Sequence, residues 1–231
     1  MIEAKNLTKK YGDDIGVLDL NLSIGKGEIY CLLGQNGAGK TTTINLFLGL
    51  LKPTSGQALI EQRDVFEHKA AVNKLLAYIP EVVQLYGNLN AIENLTFFSR
   101  LAGYKLSTSE LYLLLDRVGL QREVHQKKLS TFSKGMRQKV GVAIALSKQA
   151  KVIFMDEPTS GLDPKATNEF TTICKELATE GKTILMSTHD IFNAVNVGSS
   201  IGVMKKGQLV YATKTDKVNA HELQELYLKT I

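Results

Sequence analysis

The segment Gly34-Gln35-Asn36-Gly37-Ala38-Gly39-Lys40-Thr41 packs three glycines, a lysine and a hydroxyl into one short stretch. That mixture suits a polyphosphate. Glycines let the backbone curl so that several N–H groups point inward, and amides opening a helix attract anionic oxygens. The Lys40 ammonium supplies a point charge for β- and γ-phosphates, and the Thr41 hydroxyl, followed by Thr42, reaches Mg²⁺. The pattern carries meaning only between a strand and a helix. Ile29-Tyr30-Cys31-Leu32-Leu33 is a continuous apolar run of the kind covered on both faces, and Thr41 to Leu51 reads as a helix closed by Lys52-Pro53. An ATP-binding loop is the expectation.

A second pair of chemical residues is Asp156-Glu157, directly after the apolar run Val152-Ile153-Phe154-Met155. Carboxylates at the carboxyl end of a parallel strand face the ligand crevice. Asp156 is placed to hold Mg²⁺, directly or through water. Glu157 is suited to polarising an attacking water.

The remaining elements must bring these groups together. Ile2 to Ile24 alternates apolar and polar residues as antiparallel strands do. Thr183-Ile184-Leu185-Met186-Ser187 is a third buried strand. Between the second and third strands, Asp163 caps a helix that starts at Pro164, runs to about Thr179 and stops at Gly181. Strand, helix, strand at this spacing implies parallel pairing and an α/β core. From about Asn90 to Lys148 the pattern is helical: Asn90 and Glu93 form a capping pair, and Leu111, Leu114, Leu115 and Val118 recur at helical spacing. Ile201–Met204 and Gln208–Tyr211 flank a turn at Lys205-Lys206-Gly207, and a helix from about Ala220 to Leu228 follows.

Composition narrows the class. The chain has 231 residues, 44% of them hydrophobic and 22% charged, as in an ordinary globular protein. The net charge of +5 suits nucleic acid, an anionic membrane surface, a polyphosphate, or simply a solvated surface. Cys31 and Cys174 are isolated, which argues for a reducing compartment and against a zinc site. No stretch approaches the roughly 20 apolar residues needed to span a bilayer, and Met1–Asn6 has no signal core. A cytoplasmic protein is expected.

Three further segments carry a family resemblance. Phe132-Ser133-Lys134-Gly135-Met136-Arg137-Gln138 resembles the signature of ABC ATPases, usually LSGGQ. Ser160-Gly161-Leu162-Asp163 resembles their D-loop, and His189 falls at their switch histidine. The resemblance covers essentially the whole chain in order. It implies a P-loop NTPase fold: a RecA-like core with an antiparallel β-subdomain (1–88 and 149–231) and an inserted helical subdomain bearing the signature (89–148).

It also implies a head-to-tail dimer, homomeric or with a related ATPase, with two ATP molecules at the interface. Each would be held by residues 34–42 of one copy and by Ser133 and Gly135 of the other. Tyr11 matches the aromatic that stacks on adenine, and His189 would link the γ-phosphate to Glu157. Such domains mostly energise transporters through a separate membrane permease. The segment from Glu81 to Arg100 is the expected docking surface, at the inner face of the membrane, and no nucleic-acid partner is expected. Exporter ATPases are the nearer match. A repair or ribosomal ABC ATPase is the competing class, but the chain has neither heptads nor a duplicated half.

Two departures stand out. Lys134 replaces the first signature glycine. The Q-loop, normally Pro-Gln, reads Tyr78-Ile79-Pro80-Glu81 here, with a glutamine only at Gln84. Glu81 in the glutamine position would still bind Mg²⁺. Gln84 would take the role only through a shifted loop.

Overall fold

The computed structural model describes residues 1–230. Its centre is a six-stranded sheet in the order β10-β9-β3-β8-β7-β6. Four of these strands, β3 (Ile29–Leu33), β6 (Leu76–Ile79), β7 (Val152–Asp156) and β8 (Thr183–Thr188), run parallel, and β9 (Ser200–Lys205) joins them parallel to β3. β10 (Gln208–Lys214) pairs antiparallel with β9 through the turn at Lys205-Lys206-Gly207. Every residue of β3 and of β8 is buried; β3 accordingly reads as an unbroken apolar run, while β8 keeps an apolar centre, Ile184–Met186, between hydroxyl residues.

Successive residues of these strands serve opposite faces. Cys31, Leu33, Ile153, Met155, Ile184 and Met186 join one core cluster, while Tyr30, Leu32, Phe154 and Leu185 join another. The second cluster is closed by a four-stranded antiparallel sheet in the order β2-β1-β4-β5, made of β1 (Ile2–Tyr11), β2 (Asp14–Ile24), β4 (Ser55–Ile60) and β5 (Arg63–Asp64). Helix α1 (Lys40–Phe47) lies between the two sheets, and Phe47 stacks on Phe154 at 5.8 Å. A five-residue helix α2 (Lys69–Asn73) leads into β6.

Helices α3 (Ala91–Leu101), α4 (Thr108–Arg117) and α5 (Lys134–Ser147) pack on one another. Asn90 and Glu93 cap α3 reciprocally, and Ser107 and Glu110 do the same for α4. Helices α6 (Pro164–Thr179) and α7 (Ile191–Val197) cover the first face of the large sheet, and α8 (Ala220–Thr230) packs on α7. Among the described residues, no helix is long and apolar enough to cross a membrane.

Most sequence expectations match these elements. Helix α1 is shorter than read: it ends at Phe47, because Gly49 takes the left-handed conformation (φ 65°) that terminates helices. Strands β4 and β5 were not legible, since their residues are half polar and exposed at the ends.

Candidate functional site

The sheet order places β3, β8 and β7 side by side. The chain segments leaving their carboxyl ends therefore meet: Gly34–Thr41 after β3, Glu157 after β7 and His189 after β8. Register aligns them, with Leu33 opposite Thr188 and Asp156 opposite Ser187.

In the loop, Gly37 and Gly39 adopt φ 82° and 105°, which only glycine adopts without strain. Gln35, Asn36 and Gly37 are exposed, while Gly34, Ala38 and Lys40 are buried. The first turn of α1 has no acidic side chain and no side-chain cap, so its N–H groups keep their pull on an anion. Lys40 Nζ donates to the Gly34 carbonyl at 2.6 Å and the Gln35 carbonyl at 3.4 Å. It also lies 3.3 Å from Glu157 Oε1.

Glu157 sits at the junction of the site. Its backbone is held at φ 44°, unusual for a residue with a side chain, by N–H bonds to the carbonyl and hydroxyl of Ser187. One carboxylate oxygen accepts from His189 Nδ1 at 2.8 Å and from the His189 amide at 3.3 Å. The other, Oε1, is buried and receives no aligned hydrogen bond: the Lys40 contact is electrostatic only. A buried acceptor without a donor is costly. Its unused lone pairs suit it to take a proton or orient a water.

Asp156 is fixed from two sides. Thr41 Oγ1 donates to Oδ2 at 3.0 Å, and Ser187 Oγ donates to Oδ1. These are hard oxygen ligands. Among the described residues no group of three or more His, Cys, Asp or Glu could form a metal cage. One carboxylate and one hydroxyl fit Mg²⁺, which is ordinarily held by few protein ligands together with substrate phosphates. Nearby phenols register the negative charge. Burial, and then Asp156, pushes the Tyr78 hydroxyl up, while burial, and then Glu157, pushes up Tyr227 of α8.

The other expected residues lie apart. Ser133 caps α5, accepting from the Met136 amide at 3.2 Å. With Gly135 it borders a groove of about 670 Å³ that includes Asp163 and Ala166 but no residue of the Gly34–Thr41 loop. The Glu81 carboxylate faces Lys134, 3.7 Å away, and Gln84 is exposed. Tyr11 is 47% exposed, with Lys9 Nζ 5.2 Å from its ring centroid.

Two contributors had no assigned role in the sequence. Ser187 ties Asp156 to Glu157; its signal was a hydroxyl ending an apolar strand. Gln138 is fully buried and donates to the Glu81 carbonyl at 3.1 Å and the Pro80 carbonyl at 3.5 Å. Its place one helical turn beyond Lys134 was the available hint.

A glycine-rich loop opening a helix, with an acidic pair at the end of another strand of the same parallel sheet, defines a P-loop nucleoside triphosphatase. Residues 17–160 match the ABC transporter family model, and the chain belongs to that family: it is an ATP-binding and ATP-hydrolysing subunit of an ABC transporter. It is 38% identical to the bacitracin transport ATP-binding protein BcrA of Bacillus licheniformis over 91% of this chain and 68% of the relative. It is 33% identical to the lantibiotic transport ATP-binding protein SrtF of Streptococcus pyogenes over 98% and 96% of the two chains. Among solved structures it resembles a dimeric ATP-binding cassette in a post-hydrolysis state with ADP and Pi. That match has a TM-score of 0.82 and 27% identity, over 93% of this chain and 99% of the other. The transport names of these relatives favour the transport reading over repair or ribosomal work.

Proposed function

We propose that this chain couples ATP-driven closure of a head-to-tail dimer to export by a separate membrane permease. Residues Gly34–Thr42 hold the phosphates, and Tyr11 stacks on the base. Thr41 and Asp156 hold Mg²⁺, with Glu81 as a further ligand. The metal would supply charge neutralisation on the β- and γ-phosphate oxygens. Glu157 orients the attacking water and accepts its proton, while His189 holds that carboxylate in place. Lys40 turns from Glu157 to the incoming γ-phosphate, which frees Oε1 for the water. Ser133 and Gly135 of a second copy complete the site at the N-terminus of its α5.

The observation that carries this reading is the Lys40–Glu157–His189 chain of contacts, 3.3 Å and 2.8 Å, beside the Thr41–Asp156 pair. The dimeric state of the solved cassette supports the sandwich, and the transport names of the relatives support a permease partner. Residues 89–148 form the helical lobe, and Glu81–Arg100 presents Val82, Tyr86 and Phe97 for the permease. The protein then sits in the cytoplasm against the inner face of the membrane, with no nucleic-acid partner. The cargo class is an antibiotic-like compound, by analogy with the relatives.

Glu157→Gln tests the scheme. It should abolish turnover and trap an ATP-bound dimer. Light scattering that shows only monomer at saturating ATP and Mg²⁺ would refute the sandwich.

A further inference from the structure

We propose that Gly16 is a positioning residue for the nucleotide base: the side chain it lacks is the space in which the Tyr11 ring sits beside the phosphate-binding helix. The inference rests on the reading of Tyr11 as the base-stacking residue.

Gly16 lies in β2, and Tyr11 ends β1 across a tight turn, paired with Asp14. A Cβ at Gly16 would fall 2.7 Å from Tyr11 Cε2 and 3.3 Å from Cδ2. It would also fall 3.1 Å from Thr42 Cγ2, on the first turn of α1. The ring edge therefore fills the volume that a side chain at position 16 would occupy. The backbone does not demand glycine there, because Gly16 is not among the residues with positive φ. What the position demands is room.

The other side of Gly16 is fixed to the phosphate loop. A Cβ on Gly39 would strike the Gly16 carbonyl oxygen and lie 3.2 Å from Gly207 Cα. One on Gly207 would lie 3.1 Å from the same carbonyl. Glycines from β2, the phosphate loop and the β9–β10 turn thus touch. Two hydrogen bonds stitch them: Gly207 donates to the Ala38 carbonyl at 2.9 Å, and Leu18 donates to the Gly207 carbonyl at 2.8 Å.

This arrangement solves a spacing problem. Base and phosphates are separated by a ribose, so an aromatic seat is useful only at a set offset from the loop. Gly16 supplies that offset, with its carbonyl packed on the loop and its open face against the ring. Tyr11 is otherwise nearly half exposed, flanked by Lys9, whose Nζ is tied to the Lys52 carbonyl at 2.9 Å. If a methyl group is added at position 16, the partner that yields most easily is the Tyr11 ring, the free end of an exposed side chain.

The test is calorimetric titration of the wild type, Gly16→Ala, Tyr11→Ala and the double variant. Each is titrated with Mg²⁺-ATP and with Mg²⁺ and inorganic tripolyphosphate, which has no base. Losing an aromatic stack on one base predicts about tenfold weaker ATP binding for Gly16→Ala. Tripolyphosphate binding should stay unchanged, which also shows that the variant is folded. In the Tyr11→Ala background, Gly16→Ala should have no further effect, because both changes remove one interaction. Equal losses for both ligands, or additive losses in the double variant, would place the effect in the phosphate loop and overturn the inference. If Tyr11→Ala weakens ATP binding and Gly16→Ala does not, the inference fails while the base-stacking reading stands. If Tyr11→Ala has no effect on ATP, the two fail together.

Discussion

Lys134 Nζ lies 3.7 Å from Glu81 Oε1, so the two positions where this chain departs from the ABC motif pattern face each other. Lys134 opens α5, where the helix dipole disfavours a cation, and no acid in that turn offsets it. Glu81 supplies the missing negative charge from another segment. Gln138 of the same helix grips the main chain of Pro80 and Glu81.

The side chains are 35% and 51% exposed, so the pair contributes at most about 1 kcal/mol. Glu81→Gln and Lys134→Ala should each leave the urea midpoint nearly unchanged, since Gln138 bonds to carbonyls that both variants keep. The informative measurement is the Mg²⁺ concentration for half-maximal ATPase activity. It should rise several-fold in Glu81→Gln if Glu81 is a metal ligand. An unchanged value would assign Glu81 to the Lys134 contact alone.

His189 is mostly exposed and packs little, yet it supplies both hydrogen bonds to Glu157 Oε2. His189→Ala should lower kcat by about 10²-fold or more with little change in KM for ATP. The melting temperature should stay near that of the wild type. A large fall in stability with kcat retained would make the histidine structural.

Ser133 borders a groove that includes no residue of the phosphate loop, and the proposed dimer gives it a phosphate contact in a second copy. Ser133→Arg should therefore abolish hydrolysis while single-chain ATP binding survives. Titration with ATP under conditions that keep the chain monomeric checks this. Loss of binding in step with hydrolysis would remove the trans role.

Cys174 is fully buried, and burial pushes its thiol from 9.0 up to about 12; burial raises Cys31 in the same direction. A raised folded-state value means that the unfolded chain loses these protons first. The contribution to stability is then intact below pH 9 and falls as pH rises from 9 towards 12. Urea midpoints should decline across that window, and less steeply in Cys174→Ala. At pH 8 the folded chain should not react with a thiol reagent, and both thiols should react after denaturation.

Much of the site was legible because its chemistry is local. The Gly34–Thr41 loop, the Asp156–Glu157 pair and the Asp163–Pro164 helix start each depend on neighbours within a few positions, so residue type and spacing suffice. The buried strands β3, β7 and β8 were legible for a similar reason: two covered faces leave an apolar run, unbroken in β3 and confined to Ile184–Met186 in β8. Strands β4 and β5 were not, because β4 is exposed over its first half and buried over its second, without alternation, and β5 is only two residues long.

The amino-acid order alone thus determined the phosphate loop, the acidic strand end, the parallel core and the helical stretch between them. The rest came from contacts between residues far apart in the chain. Only folding could show that Lys40 reaches Glu157, that Ser187 braces both acids, and that Glu81 turns to Lys134. The seat of Tyr11 on Gly16 is also a packing fact: whether a glycine is needed for its backbone angle or for its empty volume depends on what the fold sets beside it.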